Sequence, residues 1–522
     1  MENQFNKTCI LSLDQGTTSS RAILFDRRGT PLAMAQQEFP QHTGGSGKDN
    51  SRDLGIVEHD PEDIWQSQIS CAKRVLDESA TRADQVAAIG IANQRETTIL
   101  WERATGRAVA PAIVWQSRVS ATICARLRAL GVEDEVRRRT GLLLDPYFSA
   151  TKIMHLLETI PGLRSRCLAG EILFGTVDTF LIWRLTQGRV HATDTTNASR
   201  TLLFDIGRLQ WSDELCKLFE IPRQILPEVR PSSSDYGEAD ACWLGLPIPI
   251  TGCAGDQQAA AFAQGCTRPG EAKNTYGTGA FLLFSTGQKR IASSSGLLTT
   301  LACTQGATTL CGATAHAGSA QSYCLEGSVF VAGAIVGWLR DGLGIIQQAA
   351  DVELLAEQVA TSAGVVVVPA LTGLGAPHWD PAARGLIIGI SRGTNKSHIA
   401  RAALESIAFC VADVVACMER DAGTSLSRLR VDGGASANNL LLQMQADVLG
   451  VPVERPAVLE TTALGAALLA GLAVGFFPSP AAVEEARRVE RVFEPAMSQG
   501  DRSRSLEKWH VAVERCKGWA DS

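Results

Sequence analysis

Short apolar runs with strand character alternate with amphipathic helical runs along most of the chain, and this alternation narrows the fold more than any other feature. Residues 8–13 (TCILSL) and Arg21 to Phe25 (RAILF) are apolar runs joined by the polar turn Asp14-Gln15-Gly16-Thr17-Thr18, which is a β-hairpin pattern. Asp26-Arg27-Arg28-Gly29 is the next turn, and Pro31 to Glu38 reads as a third strand. Pro61 to Leu76 has helical spacing, with Asp60 as N-cap and Pro61 at the first helical position. Strands are then expected over Val86 to Ala92, Thr97 to Trp101, Ile172 to Phe174, Pro249 to Cys253, Phe281 to Phe284, Gly364 to Val368 and Leu429 to Val431. Helices are expected over Val329 to Leu339, His398 to Met418 and Asn438 to Leu449. The order is that of an α/β protein.

At 522 residues the chain is long enough for several domains and large cores. Its formal charge of −6, with 45% apolar and 20% charged residues, excludes a disordered chain and argues against a dedicated nucleic-acid binder, which needs a basic stripe. The 14 cysteines are dispersed without a Cys-x-x-Cys pair, and the first residues lack the basic and apolar regions of a signal peptide. Reduced thiols in the cytoplasm are therefore expected. The apolar stretch Ala463 to Phe477 is too short to cross a bilayer, and its Gly and Ala content suits a helix packed closely against another backbone.

Three glycine-bearing turns follow or join strands: Asp14 to Ser19, Tyr276-Gly277-Thr278-Gly279, and Val431-Asp432-Gly433-Gly434-Ala435. Glycine lets amide N–H groups approach an anion, and Thr and Ser add hydroxyl donors. Singly, each reads as a structural bend; together, two with Asp and two with Thr, they point to a phosphate site. The first two also form a faint internal echo, a Gly-Thr turn between extended segments in each half. Gly44 to Asp49 (GGSGKD) mimics a P-loop, but the first glycine would fall at His42 and Asp49 replaces the Ser/Thr, so it is a loop. Asp256 stands where a strand meets an Ala-rich helix. It is either an N-cap or a carboxylate that accepts a hydroxyl proton during phosphoryl transfer, and nothing local separates the two.

Longer segments of the chain resemble the glycerol kinase family. They are Asp14 to Arg21, Asn93-Gln94-Arg95-Glu96-Thr97-Thr98, Val114-Trp115-Gln116, Asp145-Pro146-Tyr147-Phe148-Ser149, Gly175 to Thr179, Gly255 to Gln258, Asn274 to Gly279, Gly373 to Pro377, Arg430 to Gly434 and Thr462 to Ala467, all in the family's order. Other carbohydrate kinases share the phosphate turns, whereas the Arg-Glu, Trp-Gln and Pro-Tyr-Phe-Ser segments point to glycerol. The resemblance implies two actin-like (ribonuclease H-like) lobes with a catalytic cleft between them. Residues 1–262 would carry the polyol site and the base, and residues 263–522 the nucleotide site. Thr17, Thr18, Ser19 and Arg21 would lie along the ATP phosphates, with Asp14 holding Mg²⁺ through water. Thr278, Gly333, Gly434 and Asn438 would contact the nucleotide. Arg95, Glu96, Tyr147, Asp256 and Gln257 would face the glycerol hydroxyls, Trp115 and Phe281 would cover its carbon edge, and Asp256 would be the general base. A buried polar site of this kind rejects analogues lacking a hydroxyl by ~10⁴–10⁵-fold, because its own groups are left unpaired.

The resemblance also implies a cytoplasmic homo-oligomer, dimer or tetramer, that takes part in glycerol catabolism. Gly337 stands where the family usually has a Gln that brackets the nucleotide. Pro247 stands where some relatives have the Arg that binds fructose 1,6-bisphosphate, and the 231–249 loop holds no Arg, Lys or His, so inhibition through that loop is not expected. Segments 41–53 and 302–321 look like tolerated surface loops. Two other readings share the same lobes: an actin-like chaperone or filament ATPase, which would have no need for Arg95, Glu96, Trp115 and Tyr147 together, and a kinase for a longer polyol or ketose.

Overall fold

The structure, a computed structural model, describes residues 7–44, 55–306, 320–479 and 484–521. Most of segments 41–53 and 302–321, and of the P-loop look-alike, lies outside these. The chain divides into two compact units. The first comprises Met1–Gly265, Thr299–Tyr323 and Thr461–Arg487, and the second Cys266–Leu298, Cys324–Glu460 and Arg488–Ser522.

The first unit is built on a sheet whose strand order is Glu238–Ala239, Ile248–Gly255, Val86–Asn93, Cys9–Gln15, Ser19–Phe25 and Pro31–Glu38. Cys9–Gln15 turns back antiparallel onto Ser19–Phe25, and pairs on its other side in parallel with Val86–Asn93, which pairs in parallel with Ile248–Gly255. Gln15 is level with Asn93, and Asn93 with Gly255, so the three parallel strands end in register. The segments that follow each of them therefore emerge side by side at the carboxyl edge, where open α/β sheets bind ligands. One face carries the helix Pro61–Glu78, started by Asp60, whose carboxylate accepts from the Glu62 N–H at 2.8 Å.

The other face carries the helix Thr461–Ala473, buried along nearly its whole length. It lies so close that a Cβ at Gly90 would come within 2.1 Å of the Ala466 carbonyl oxygen, and one at Gly465 within 2.0 Å of that of Ala259. Hydroxyls on the sheet side reach its carbonyls: Ser12 Oγ donates to Ala463 O at 2.7 Å and Thr251 Oγ1 to Ala470 O at 2.9 Å. The apolar stretch is thus core, and among the described residues no helix is long and apolar enough to cross a membrane.

The second unit repeats the hairpin-plus-parallel-strand arrangement. Glu271–Tyr276 turns back onto Ala280–Gly287 and pairs in parallel with Arg428–Asp432, so that Thr275 is level with Asp432. Arg428–Asp432 pairs in parallel with Val453–Pro456, which pairs antiparallel with Val489–Phe493. The echo between the two Gly-Thr turns therefore has the same topology on both sides. The long helix Lys396–Ala422 covers this core, with Asn395 capping its first turn. One expected helix differs: the chain over Tyr323–Val329 is a strand, and the helix begins at Gly333. A short apolar run such as Val329-Phe330-Val331 fits either period, so local pattern does not separate the two.

The backbone approaches give a test. Alanine normally stabilises a helix interior relative to glycine by about 0.5–1 kcal/mol. Gly465→Ala is expected to do the reverse and cost about 1–3 kcal/mol by overpacking. Urea unfolding reads this as a lower midpoint, and an unchanged or higher midpoint would contradict the close packing described.

Candidate active site

Three segments meet at the carboxyl edge of the first unit's sheet. After Cys9–Gln15, the Gly16 N–H donates to the Ser19 carbonyl at 3.0 Å, closing a tight turn that holds Thr17 and Thr18. Asp14 is almost buried at the end of the strand, with the Arg21 guanidinium 3.8 Å from its carboxylate on the paired strand. Ser19 accepts from Gln36, and the Thr17 carbonyl from Gln41.

After Val86–Asn93, the chain places Gln94, Arg95 and Glu96. Gln94 ties this segment to the first one, its amide N–H donating to the Gln15 carbonyl at 2.7 Å and its side chain to Gln15 Oε1 at 3.0 Å. Glu96 adopts φ +62°. That left-handed conformation costs a residue with a side chain about 1–3 kcal/mol and is held by its surroundings. Here the Glu96 carbonyl accepts from Ser149 Oγ at 3.1 Å and Lys152 Nζ at 3.1 Å, while its carboxylate accepts from Arg200 Nε at 2.5 Å.

After Ile248–Gly255, the helix Asp256–Ala263 begins. Gly255, not Asp256, takes the N-cap position, so the N-cap reading of Asp256 does not hold. Asp256 is the first helical residue and accepts from the Gln257 N–H at 2.6 Å. Its Oδ1 faces Arg95 Nε at 3.2 Å, and the same guanidinium lies 4.0 Å from Glu96 and donates to Gln258 Oε1 at 3.2 Å. The glycine at 255 is required by this geometry, since a Cβ there would stand 2.7 Å from Arg95 Cδ. Among these charged groups Asp256 is the accessible one, its side chain 31% exposed against 2% for Arg95 and 1% for Glu96. A small hydroxylic molecule can therefore reach the aspartate while the other two are held from behind.

An aromatic corner borders this cluster. Trp115 and Tyr147 meet edge to face with centroids 5.5 Å apart, and Arg200 lies over the Tyr147 ring at 5.8 Å. The Trp115 indole N–H donates to Thr17 Oγ1 at 3.0 Å, which joins the aromatic corner to the first turn. Arg95, Glu96, Trp115, Tyr147, Asp256, Gln257 and the 14–21 hairpin thus belong to one unit, while Phe281 belongs to the other, opposite Thr275 on the second hairpin.

In the second unit the Gly277-Thr278-Gly279 turn sits on the start of the helix Gly333–Asp341. The Gly333 N–H donates to Gly277 O at 2.9 Å, and the Ala334 N–H to Thr278 O at 3.0 Å. A Cβ at Gly333 would approach Gly277 O to 2.6 Å. Gly433, at φ +84°, brings the other turn within 2.5 Å of the Tyr276 carbonyl by the same measure. Gly434 is exposed, and Asn438 caps the helix Asn439–Leu449 by accepting from the Leu441 N–H at 2.7 Å. A side chain at Gly337 would meet nothing within 4 Å. Thr278 with Gly333, and Gly434 with Asn438, are therefore neighbours on one sheet edge.

Sequence reading passed over several residues that support the site. Arg455 donates to the carbonyls of Ser436 and Ala437 and pairs with Glu490, bracing the 434–438 turn. Asp194 is buried and accepts from Asn197, Ser232 and the Thr196 hydroxyl, which in turn accepts from the Gly255 N–H at 2.9 Å. Asn197 exchanges side-chain hydrogen bonds with Asn93. A charged residue inside a neutral stretch, such as Arg200 in NASRTLLF, was the available signal. Asp178, Asp194 and Cys253 form a buried cluster, but Thr176, Thr193 and Cys253 donate to Asp178, so hydrogen bonding within the protein accounts for it.

Comparisons with known proteins give the family. Residues 9–263 match the N-terminal domain of the FGGY family of carbohydrate kinases, and residues 272–474 match the C-terminal domain. The chain belongs to the FGGY family of carbohydrate kinases. Within it, the chain is 54% identical over 504 residues to the glycerol kinase of Ralstonia nicotianae, covering 97% of each. It is 53% identical over 512 residues to that of Pseudothermotoga lettingae, covering 98% of this chain and 99% of the other. The crystal structure of Plasmodium falciparum glycerol kinase with ADP superposes with a TM-score of 0.89 at 35% identity, covering 97% and 98% of the two chains. The fold is accordingly the two-domain α/β fold of FGGY kinases, with actin-like units.

Burial, together with the Asp178 carboxylate nearby, pushes Asp194 up to about 6. The native chain then keeps a proton that the unfolded chain releases above about pH 4, so this group's contribution is present at low pH and is lost as pH rises through about 6. Relative to Asp194→Asn, which does not titrate, the wild type is expected to lose about 2–3 kcal/mol between about pH 4 and pH 7. Urea midpoints across that range measure it, and a constant difference would show that Asp194 does not hold the proton.

Proposed function

We propose that this chain is an ATP-dependent glycerol kinase, which moves the γ-phosphoryl group of ATP onto a terminal hydroxyl of glycerol to give sn-glycerol 3-phosphate and ADP. The observation that carries the reading is the register of the three parallel strands. It puts the Thr17–Thr18 turn, the Arg95–Glu96 pair and Asp256 at adjacent strand ends, with the Trp115 indole bonded to Thr17. The identities to curated glycerol kinases supply the substrate.

Glycerol carries three hydroxyls on three carbons. Arg95 donates to them and Glu96, Asp256 and Gln257 accept or donate around them, while Trp115 and Phe281 cover the carbon edge. Asp256 takes the proton of the attacking hydroxyl as its oxygen bonds to the γ-phosphorus and the bond to the ADP oxygen breaks. Thr17, Thr18, Ser19 and Arg21 follow the phosphates, and Thr278, Gly333, Gly434 and Asn438 hold the rest of the nucleotide. In this division of labour the lobe of residues 1–262 binds the polyol and supplies the base, and that of residues 263–522 binds nucleotide.

Asp14 offers a carboxylate oxygen at the phosphate turn, the hard donor that Mg²⁺ prefers, and would hold the ion through water. When bound, Mg²⁺ neutralises charge on the phosphates. The described cysteines are free thiols and mostly buried, which suits the cytoplasm; a dimer or tetramer is expected from the family resemblance alone.

Coupled assay of ADP release with ATP and Mg²⁺ tests this, across glycerol, xylulose, erythritol and no acceptor. Strong turnover with glycerol and a blank without it is expected; release that ignores the acceptor would leave an ATPase. Asp256→Asn is expected to lower kcat by roughly 10²–10⁴-fold. Arg95→Ala is expected to raise the KM for glycerol while sparing that for ATP. Near-normal turnover of the first variant would remove Asp256 from the role of base.

A further inference from the structure

Lys152 lies on the helix Ser149–Thr159 with its side chain wholly buried. Its ammonium donates to two backbone carbonyls, that of Glu96 at 3.1 Å and that of Tyr147 at 2.7 Å. These belong to segments far apart in the chain, each contributing a side chain to the proposed polyol site. The Glu96 carbonyl also accepts from Ser149 Oγ at 3.1 Å and Thr98 Oγ1 at 3.2 Å, so it is gripped from the helix and from its own turn.

An ammonium is a costly choice for this position. Burial draws it down to about 7, against the opposing pull of the Glu96, Asp145 and Cys124 side chains. An unbranched apolar side chain would fill the space between helix and turn without removing a charge from water, but would leave the carbonyls without this donor. What the apolar chain could not do is hold two carbonyl oxygens together. Glu96 needs that hold because its left-handed backbone persists only where neighbours over-determine it.

We propose that Lys152 is a positioning residue for the polyol. By clipping the Glu96 and Tyr147 carbonyls to one ammonium, it sets the Glu96 carboxylate and the Tyr147 ring relative to each other and so governs affinity for the three-carbon substrate. The inference rests on the reading of Glu96 and Tyr147 as glycerol-binding residues.

Lys152→Met tests it, with glycerol and ATP varied separately and the fold checked by circular dichroism and thermal unfolding. The KM for glycerol is expected to rise roughly 10- to 100-fold, the scale of a small misplacement of binding groups. The KM for ATP is expected to stay within about twofold, and Lys152→Gln, which keeps an N–H donor, to fall between variant and wild type. A residue that merely held the fold together would shrink the active fraction, lowering apparent kcat and leaving both KM values alone. An unchanged glycerol KM in folded Lys152→Met therefore overturns the proposal.

If that variant does not accumulate, Lys152→Gln carries the test, since it removes the ammonium and keeps a polar N–H donor; its glycerol KM is expected to rise about threefold with that for ATP unmoved, and no rise would overturn the proposal. Wild-type enzyme without glycerol-dependent turnover would overturn the polyol reading and this proposal together; a working wild type with unmoved variants would overturn the Lys152 assignment alone.

Discussion

The buried guanidinium of Arg95 is the interaction around which the first unit's site is arranged. It sits 3.2 Å from Asp256 on one side and 4.0 Å from Glu96 on the other, and bonds Gln258 as well. A charge this deep is tolerable only when its partners surround it. Everything near it follows from that need. Gly255 has no side chain because Arg95 Cδ occupies the space, and Arg200 lies behind Glu96 so that its carboxylate is shared between two guanidinium groups. The member of this cluster with appreciable access to solvent is Asp256, the residue proposed above as the base.

The sheet makes that cluster possible. Parallel pairing of three strands ends their backbones at one level, and each end releases a different chemical group: hydroxyls and amides at 16–19, a guanidinium–carboxylate pair at 95–96, a carboxylate at 256. The helix Thr461–Ala473 holds the strands from behind through glycine contacts and hydroxyl-to-carbonyl hydrogen bonds, returning from late in the chain to complete the first unit. The second unit uses the same hairpin and parallel partner to present glycine-rich turns, with Arg455 bracing one of them. One topology thus presents two different sets of side chains on its turns.

Much of this was legible in local pattern. The 8–25 hairpin, the Asp60-capped helix and the alternation of elements follow from periodicity and turn chemistry, and the motif resemblance reached the family. Spatial order was not legible: nothing in residues 86–93 says that they lie between 9–15 and 248–255, yet that order brings Thr17, Arg95 and Asp256 to one edge. The segment around Asp256 reads locally as an N-cap, and only the placement of Gly255 in that position excludes it. Lys152 and Arg200 were invisible because Glu96, the partner they share, is distant in sequence from both and meets Lys152 through a backbone carbonyl. The helix expected from Val329 begins instead at Gly333, because the three-residue apolar run before it carries no period.

The central claim is that a buried, mutually paired polar cluster recognises a three-carbon triol. The most direct measurement is kcat/KM for glycerol against propane-1,2-diol and propane-1,3-diol, each lacking one hydroxyl. The account predicts a loss on the order of 10⁴-fold for each diol that keeps a terminal hydroxyl to phosphorylate, because a buried partner is left unpaired. Comparable turnover of either diol would contradict it.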